Sequence, residues 1–351
     1  MATKNRWFRL LAVAAALSLL TLAGCGDDDA ETTTEAPTTT AAPTTTAAAT
    51  TTVAALDEAD VAGEHINSVL ADWAPVISAA DLFENLSDGD DSNDPFIVSV
   101  RTAEHYALGH IEGAINIGWR AIADDASLAM LPTDQQIVVY CYTGHTGQAA
   151  AMILRALGYD VLNLKFGMMG WSDNPEVVAT TAFAAAGGYP TVTEATQLPA
   201  ADGLPVVETG ETEATAILKA RAQAMLADWG PVISAEALFE NLSDGDDTND
   251  PFIVSVRAAD AYEIGHIDGA INIGWRAIAA DESLEALPEG APIVVYCYTG
   301  HTGQAAATAL MLLGYDVVNL KFGMMGWTDD ADVLGQTPFT AAPGYPTVAA
   351  G

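Results

Sequence analysis

The stretch IVVYCYTGHTGQAA is written twice, at 137–150 and again at 293–306, 156 positions later. No other feature constrains the fold as strongly. The same offset relates Trp73 to Trp229, Arg101 to Arg257, His110 to His266, Trp171 to Trp327 and Tyr189 to Tyr345, with no insertion or deletion between these landmarks. A period this long means tandem domains, because solenoid repeats are much shorter. Whatever fold one copy adopts the other adopts too, and 351 residues leave room for two ordinary cores.

Within a copy, apolar runs alternate with helical patterns. Ser78 followed by Asp81 reads as a capping box opening a helix that runs through Leu86. A short strand is expected over 96–100, a helix over 102–108, a turn at Gly109-His110 and a second strand over 114–117. The continuous apolar run 137–140 predicts a third strand, 148–157 a helix closed by Gly158, and 160–164 a fourth strand. Strands separated by helices predict the α/β class, with a parallel sheet flanked by helices in each copy. The domains are placed at 58–192 and 222–351, with 193–221 a Pro/Gly/acid linker and the start of a lead-in helix. In such sheets, sites form at the carboxyl ends of strands, where Cys141 and Cys297 fall. Each thiol sits at the mouth of a Gly/Thr/His loop that feeds a helix N-terminus, a place that favours a thiolate or another anion.

Charge narrows the partners. The chain has 47 acids against 12 bases, a net charge of −35, and no basic cluster, which excludes nucleic acid as a partner. Lys4, Arg6 and Arg9 are the only charged residues before Cys25, and they precede an apolar run, 10–22, too short to span a bilayer comfortably. The run ends in Leu22-Ala23-Gly24-Cys25, which resembles the lipobox of bacterial lipoproteins. That resemblance implies a signal peptide over 1–24, cleavage before Cys25 and lipidation of its thiol. The expected protein is exported and anchored to a membrane by lipid, in a periplasm or at the outer cell surface. The low-complexity Asp and Thr/Ala/Pro stretch over 25–57 cannot bury a core and predicts a disordered stalk. With Cys25 consumed by lipid, Cys141 and Cys297 are the remaining cysteines. Exported domains usually pair their cysteines, so two thiols in identical loops read as kept for reactivity. A disulfide joining the copies is the alternative, and it requires the two loops to face each other.

Several pieces in fixed order carry a family resemblance. They are 97–101 (IVSVR), 109–117 (GHIEGAINI), 138–144 (VVYCYTG), 157–159 (LGY) and 167–171 (GMMGW), with their counterparts at 253–257, 265–273, 294–300, 313–315 and 323–327. Each copy resembles a rhodanese-like domain over nearly its whole length. The resemblance implies sulfur transfer through a cysteine persulfide, from a small sulfane-sulfur donor to a thiol or other thiophilic acceptor, without a cofactor. Cys141 and Cys297 fall on the family's persulfide-carrying nucleophile. Tyr142, Thr143, Gly144, His145 and Thr146, and likewise Tyr298, Thr299, Gly300, His301 and Thr302, fall on the loop that cradles it. Arg101 and Arg257 are candidates for orienting that loop or meeting the donor; a structural ion pair at a strand end is the alternative.

Departures from the family pattern refine this. The loop holds no Arg or Lys, its only potential cation being His145 or His301, so a neutral persulfide or polysulfide is favoured over thiosulfate as donor. Ser99 and Ser255 stand where the family often has Asp. Phosphatases of the same fold need an arginine six positions after the cysteine; Gly147 and Gly303 stand there, which excludes phosphate chemistry. Cys141 with His145, or Cys297 with His301, supplies too few ligands for a closed zinc site, and no metal is expected. Asp88, Asp90, Ser92 and Asp94 lack the glycine and closing glutamate of a calcium loop and read as an acidic turn. The alternative to an enzyme is a lipoprotein that stores and hands over sulfur or selenium without turnover, or binds a redox partner.

Overall fold

The computed structural model describes residues 57–197 and 204–350. The expectations for the signal peptide 1–24, for Cys25 and for nearly all of 25–57 lie outside the described residues.

Each copy folds around a five-stranded, all-parallel sheet. In the first, β1 (Val76–Ile77), β2 (Phe96–Ser99), β3 (Ile115–Asn116), β4 (Ile137–Tyr140) and β5 (Val161–Leu164) lie in the order β1-β5-β4-β2-β3. The second repeats this with β6 (Val232–Ile233), β7 (Phe252–Ser255), β8 (Ile271–Asn272), β9 (Ile293–Tyr296) and β10 (Val317–Leu320). The continuous apolar runs become β4 and β9 because a central strand of a covered parallel sheet buries both faces; Ile137, Val138, Val139 and Tyr140 are all 0% exposed. Ser78 caps the helix Ala79–Ser87 as expected, accepting the amide of Asp81. β1 and β6, two residues each, are the strands that periodicity did not reveal.

The helix after each cysteine begins at the loop itself, at His145–Ala156 and His301–Leu312, three residues earlier than the 148 start expected for the first. Gly144, at φ 89°, takes the left-handed conformation that lets the chain turn from the strand end straight into the helix. Nearly every residue of both helices is buried. A helix buried on all faces needs cover on both sides. One side of His145–Ala156 packs on β4 and β5, and the other packs on His301–Leu312 of the second copy, the most extensive pairing of elements in the chain. Ala149, Ala150 and Ala151 join Ala305, Ala306 and Ala307 in one continuous core drawn from both copies. Small side chains let two such helices approach closely. The buried Met152, Ile153 and Leu154 each add about 1.5–3 kcal/mol of apolar burial.

The copies are further locked by reciprocal contacts, each occurring in both senses as in an isologous interface. Arg120 donates to the carbonyls of Leu226 and Ala227, and Arg276 to those of Ala71 and Trp73. The tails cross over. Val192, at the end of the first repeat, pairs with His266 of the second, and Val348 pairs with His110 of the first. Trp327 Nε1 donates to Pro190 O and Trp171 Nε1 to Pro346 O. Tyr189 stacks on Phe239 and Tyr345 on Phe83. Linker residues Thr209 and Gly210 donate to the carboxylate of Glu58 at the start of the helix Glu58–Ala71.

Candidate active site at the two cysteines

Strand β4 ends at Tyr140 and delivers Cys141 to the carboxyl edge of the sheet, 1% exposed; Cys297 leaves β9 in the same way. Both thiols are free. The turn that follows folds back so that the Gly144 amide donates to Cys141 Sγ at 3.1 Å, and Gly300 donates to Cys297 Sγ at 3.1 Å. Directly behind stands the N-terminus of a twelve-residue helix, whose positive end favours negative charge on the sulfur.

The loop is braced from below. Met168 and Met169 amides, at the start of the short helix Gly167–Trp171, donate to the carbonyls of Cys141 and Tyr142 at 2.8 Å each. Asn163 Nδ2 on β5 donates to Gly144 O at 3.0 Å. Two glycines are dictated by crowding. A Cβ on Gly167 would lie 2.5 Å from Cys141 O, and one on Gly147 would collide with Asn163 Oδ1 and reach 3.5 Å from Cys141 Sγ. Gly147 occupies the place of the phosphatase arginine, so the position lacks room for any side chain as well as lacking charge.

Each remaining loop residue has a definite place. Tyr142 carries its hydroxyl outward, accepting the Thr102 amide at 3.1 Å and meeting His105 Nδ1 at 2.7 Å. Thr143 is buried against His145 Nδ1 at 3.0 Å, as Thr299 is against His301. Thr146 sits in the first turn of its helix, and Thr302, with Tyr298, lines the cavity at the second cysteine. Arg101 and Arg257 are buried beneath the loops. Arg101 donates to Val177 O at 2.8 Å and Gly109 O at 2.5 Å, and its guanidinium lies over the rings of Tyr140 and Tyr142. It therefore ties three segments to the loop; among the described residues its partners are carbonyls and rings, not a carboxylate. Arg257 repeats these contacts and also borders the cavity at Cys297.

His145 and His301 lie in the seam between the copies. Their rings stack with centroids 5.8 Å apart. Nε2 of His145 accepts the Phe322 amide at 3.0 Å, and Nε2 of His301 accepts the Phe166 amide at 2.9 Å. With Nε2 accepting, each Nδ1 carries the proton and donates to its threonine. Burial pushes His301 down to about 3, with the Lys165 charge adding to the effect. Burial likewise holds His145 well below the ordinary histidine range, followed by the neighbouring His301 and Lys321. The loop's only potential cations are therefore neutral rings at neutral pH, each Nε2 accepting an amide, because a charged imidazolium would be desolvated beside another ring and a lysine. The two loops face each other, as an inter-copy disulfide would require, but histidines occupy the seam.

A cavity of about 500 Å³ opens at Cys297, lined by Tyr298, Thr299, His301 and Thr302 of the loop and by Arg257, Trp275 and Arg276. Lys165 and Val76 of the first copy close it. Sequence reading missed Lys165 and Arg276, and their counterparts Lys321 and Arg120, because none belongs to the loop. A signal was present. Nine bases follow Cys25, and six of them recur at the 156-residue offset: Arg101/Arg257, Arg120/Arg276 and Lys165/Lys321. In so acidic a chain, those recurring bases are the ones that could have been singled out.

Comparison with known proteins agrees with the geometry. The family model for the rhodanese-like domain matches residues 78–174 and 234–330. An HTH-type transcriptional regulator of Mycobacterium tuberculosis is 37% identical over 120 residues, covering 32% of this chain and 50% of that protein, so the chain spans half the length of that relative. The thiosulfate sulfurtransferase GlpE of Pseudomonas paraeruginosa is 37% identical over 76 residues, 21% of this chain and 67% of GlpE. A sulfurtransferase of Allochromatium vinosum is 31% identical over 83 residues, 23% of this chain and 76% of that protein. Matched once in each copy and over more than half of its length, the chain belongs to the rhodanese-like domain family.

Proposed function

We propose that this chain is an extracytoplasmic, lipid-anchored sulfurtransferase that moves a sulfane sulfur through persulfides on Cys141 and Cys297. One observation carries the catalytic part. In both copies a free thiol sits at a strand end, accepts a loop amide at 3.1 Å and faces the N-terminus of a long helix. Such a place suits both a thiolate and the persulfide anion made from it. The cysteine thiolate attacks the sulfane sulfur of a donor. The bond between that sulfur and the rest of the donor breaks, and its electron pair leaves with the donor remainder. The outer sulfur of the resulting persulfide is then attacked by a thiophilic acceptor, and the S–S electron pair returns to the cysteine, restoring the thiolate. Similarity to proteins named as sulfurtransferases supports this reading.

The test is loading. The purified chain is incubated with thiosulfate or with inorganic polysulfide, and intact mass is read for one added sulfur on each competent cysteine. Cys141→Ser and Cys297→Ser should each halve the loading, and the double variant should abolish it. Turnover to a thiol or cyanide acceptor separates an enzyme from a carrier. If neither donor loads either cysteine, sulfur transfer by this route is wrong.

The location rests on the order Lys4, Arg6, Arg9, an apolar run, and Leu22-Ala23-Gly24-Cys25. Cys25→Ser should block processing and the incorporation of labelled fatty acid; unchanged incorporation would overturn the anchor.

A further inference from the structure

The loops lack a cation of their own, yet an ammonium stands at the second site, and it comes from the other copy. Lys165 follows β5 of the first copy and lines the cavity at Cys297. The next residue fixes it there, since the Phe166 amide donates to His301 Nε2 within the second loop. The relation is reciprocal. Lys321 follows β10, and the Phe322 amide donates to His145 Nε2 within the first loop. Gly144 and Gly300 admit this approach: a Cβ on either would collide with the opposite copy's histidine.

The other cations at the cavity are already engaged. Arg257 donates to the carbonyls of Val333 and Gly265, and Arg276 to those of Ala71 and Trp73. Lys165 is half-buried with its Nζ 5.5 Å from the Phe166 ring centroid, and Lys321 repeats this at 5.3 Å. Among the described residues the salt bridge is Lys219–Asp125, so neither lysine has a carboxylate partner. In a chain of net charge −35, an unpaired ammonium beside a nucleophile's cavity is a local positive site in a negative field.

We infer that each site is completed in trans, Lys165 receiving the anionic end of the sulfur donor for Cys297 and Lys321 doing so for Cys141. The lysines are specificity residues, and an oxyanion-bearing sulfane-sulfur compound becomes a substrate of the paired copies although neither loop could hold it alone. This reverses the preference for a neutral donor that the loop composition suggested. It also makes the pair of copies the catalytic unit. The assignment of donor rests on the sulfurtransferase reading above; the assignment of the lysines does not.

The experiment uses the full chain carrying Cys141→Ser, so that only the second site reports. Two alkylating probes of equal reach, anionic iodoacetate and neutral iodoacetamide, are compared at Cys297 by peptide mass mapping. In each, the thiolate attacks carbon and iodide leaves with the bonding pair. The ratio of the two rates cancels changes in thiol reactivity and in folded fraction. Lys165→Met should lower the iodoacetate/iodoacetamide ratio, and the rate of loading from thiosulfate, on the order of 10- to 100-fold, the range for losing a hydrogen bond to a charged group. Lys165→Arg should restore most of both, and Lys321→Met should change neither. In the Cys297→Ser background the two lysines should exchange roles. An unchanged ratio in Lys165→Met, or an equal loss in Lys321→Met, overturns the inference. A falling ratio in a protein that no donor loads would keep the trans lysine and refute the proposed function instead.

Discussion

Gly144→Ala offers a direct measure of how tightly the two sites are joined. Gly144 sits at φ 89°, and an added Cβ would lie 2.5 Å from His301 Nε2 and 3.0 Å from the Phe166 amide nitrogen, the two atoms of the cross-copy hydrogen bond. Gly158, at φ 95°, is the control, because a Cβ there meets nothing within 4 Å. Alanine in the left-handed region costs about 1–2 kcal/mol, partly offset by the stiffer unfolded chain, and this is the whole expected effect at Gly158. At Gly144 the histidine must also move, leaving the half-buried Phe166 amide unpaired, which costs a further 1–3 kcal/mol or so. Gly144→Ala should therefore be destabilising by roughly 2–5 kcal/mol in urea unfolding, clearly more than Gly158→Ala. Persulfide loading at Cys297 should fall along with that at Cys141, since the displaced ring belongs to the second loop. Equal costs at the two glycines, or normal loading at Cys297, would refute the account of the seam.

Two further outcomes follow from the same contacts. His145 and His301 have folded pKa values below the unfolded 6.5, so the unfolded chain binds more protons as pH falls below about 6.5, for His301 down to about 3. Their contribution is complete above that window and is lost through it, at a limiting slope of about 1.4 kcal/mol per pH unit for each ring. A His145→Gln/His301→Gln protein should show a flatter stability-against-pH curve between pH 6.5 and 4; an unchanged slope would mean the rings titrate normally. Removing residues 345–351 should loosen the first copy and not the second, because Tyr345 and Val348 rest on Phe83, Trp171 and His110. Hydrogen exchange should show lost protection around 78–87 and 103–111. Loss confined to the second copy would contradict the crossed tails.

Much of one copy was legible because its signals are local. The run 137–140 reads as a buried strand, Ser78 with Asp81 as a helix start, and Cys141 as a residue at a strand end. β1 and β6 were not legible, since two residues carry no periodicity and exist as strands only by pairing with β5 and β10. The helix start at His145 was hidden by Gly144 and Gly147, which read as loop. They are glycines because the turn needs a positive φ and Asn163 leaves no room.

The sequence by itself determined two like domains, their α/β class and one strand-end cysteine for each, because a 156-residue repeat and local apolar patterns are readable without knowing the fold. Tertiary structure alone decided that the cysteine loops stack histidine on histidine, that the tails cross, and that Lys165 lines the cavity at Cys297 while Lys321 lies near His145 of the first loop. The helices buried on every face required a second copy to cover them. Once they packed together, Lys165 and Cys297, 132 positions apart in the chain, came to line one cavity. Nothing in local propensity encodes such a meeting; it follows from burying the two helices against each other.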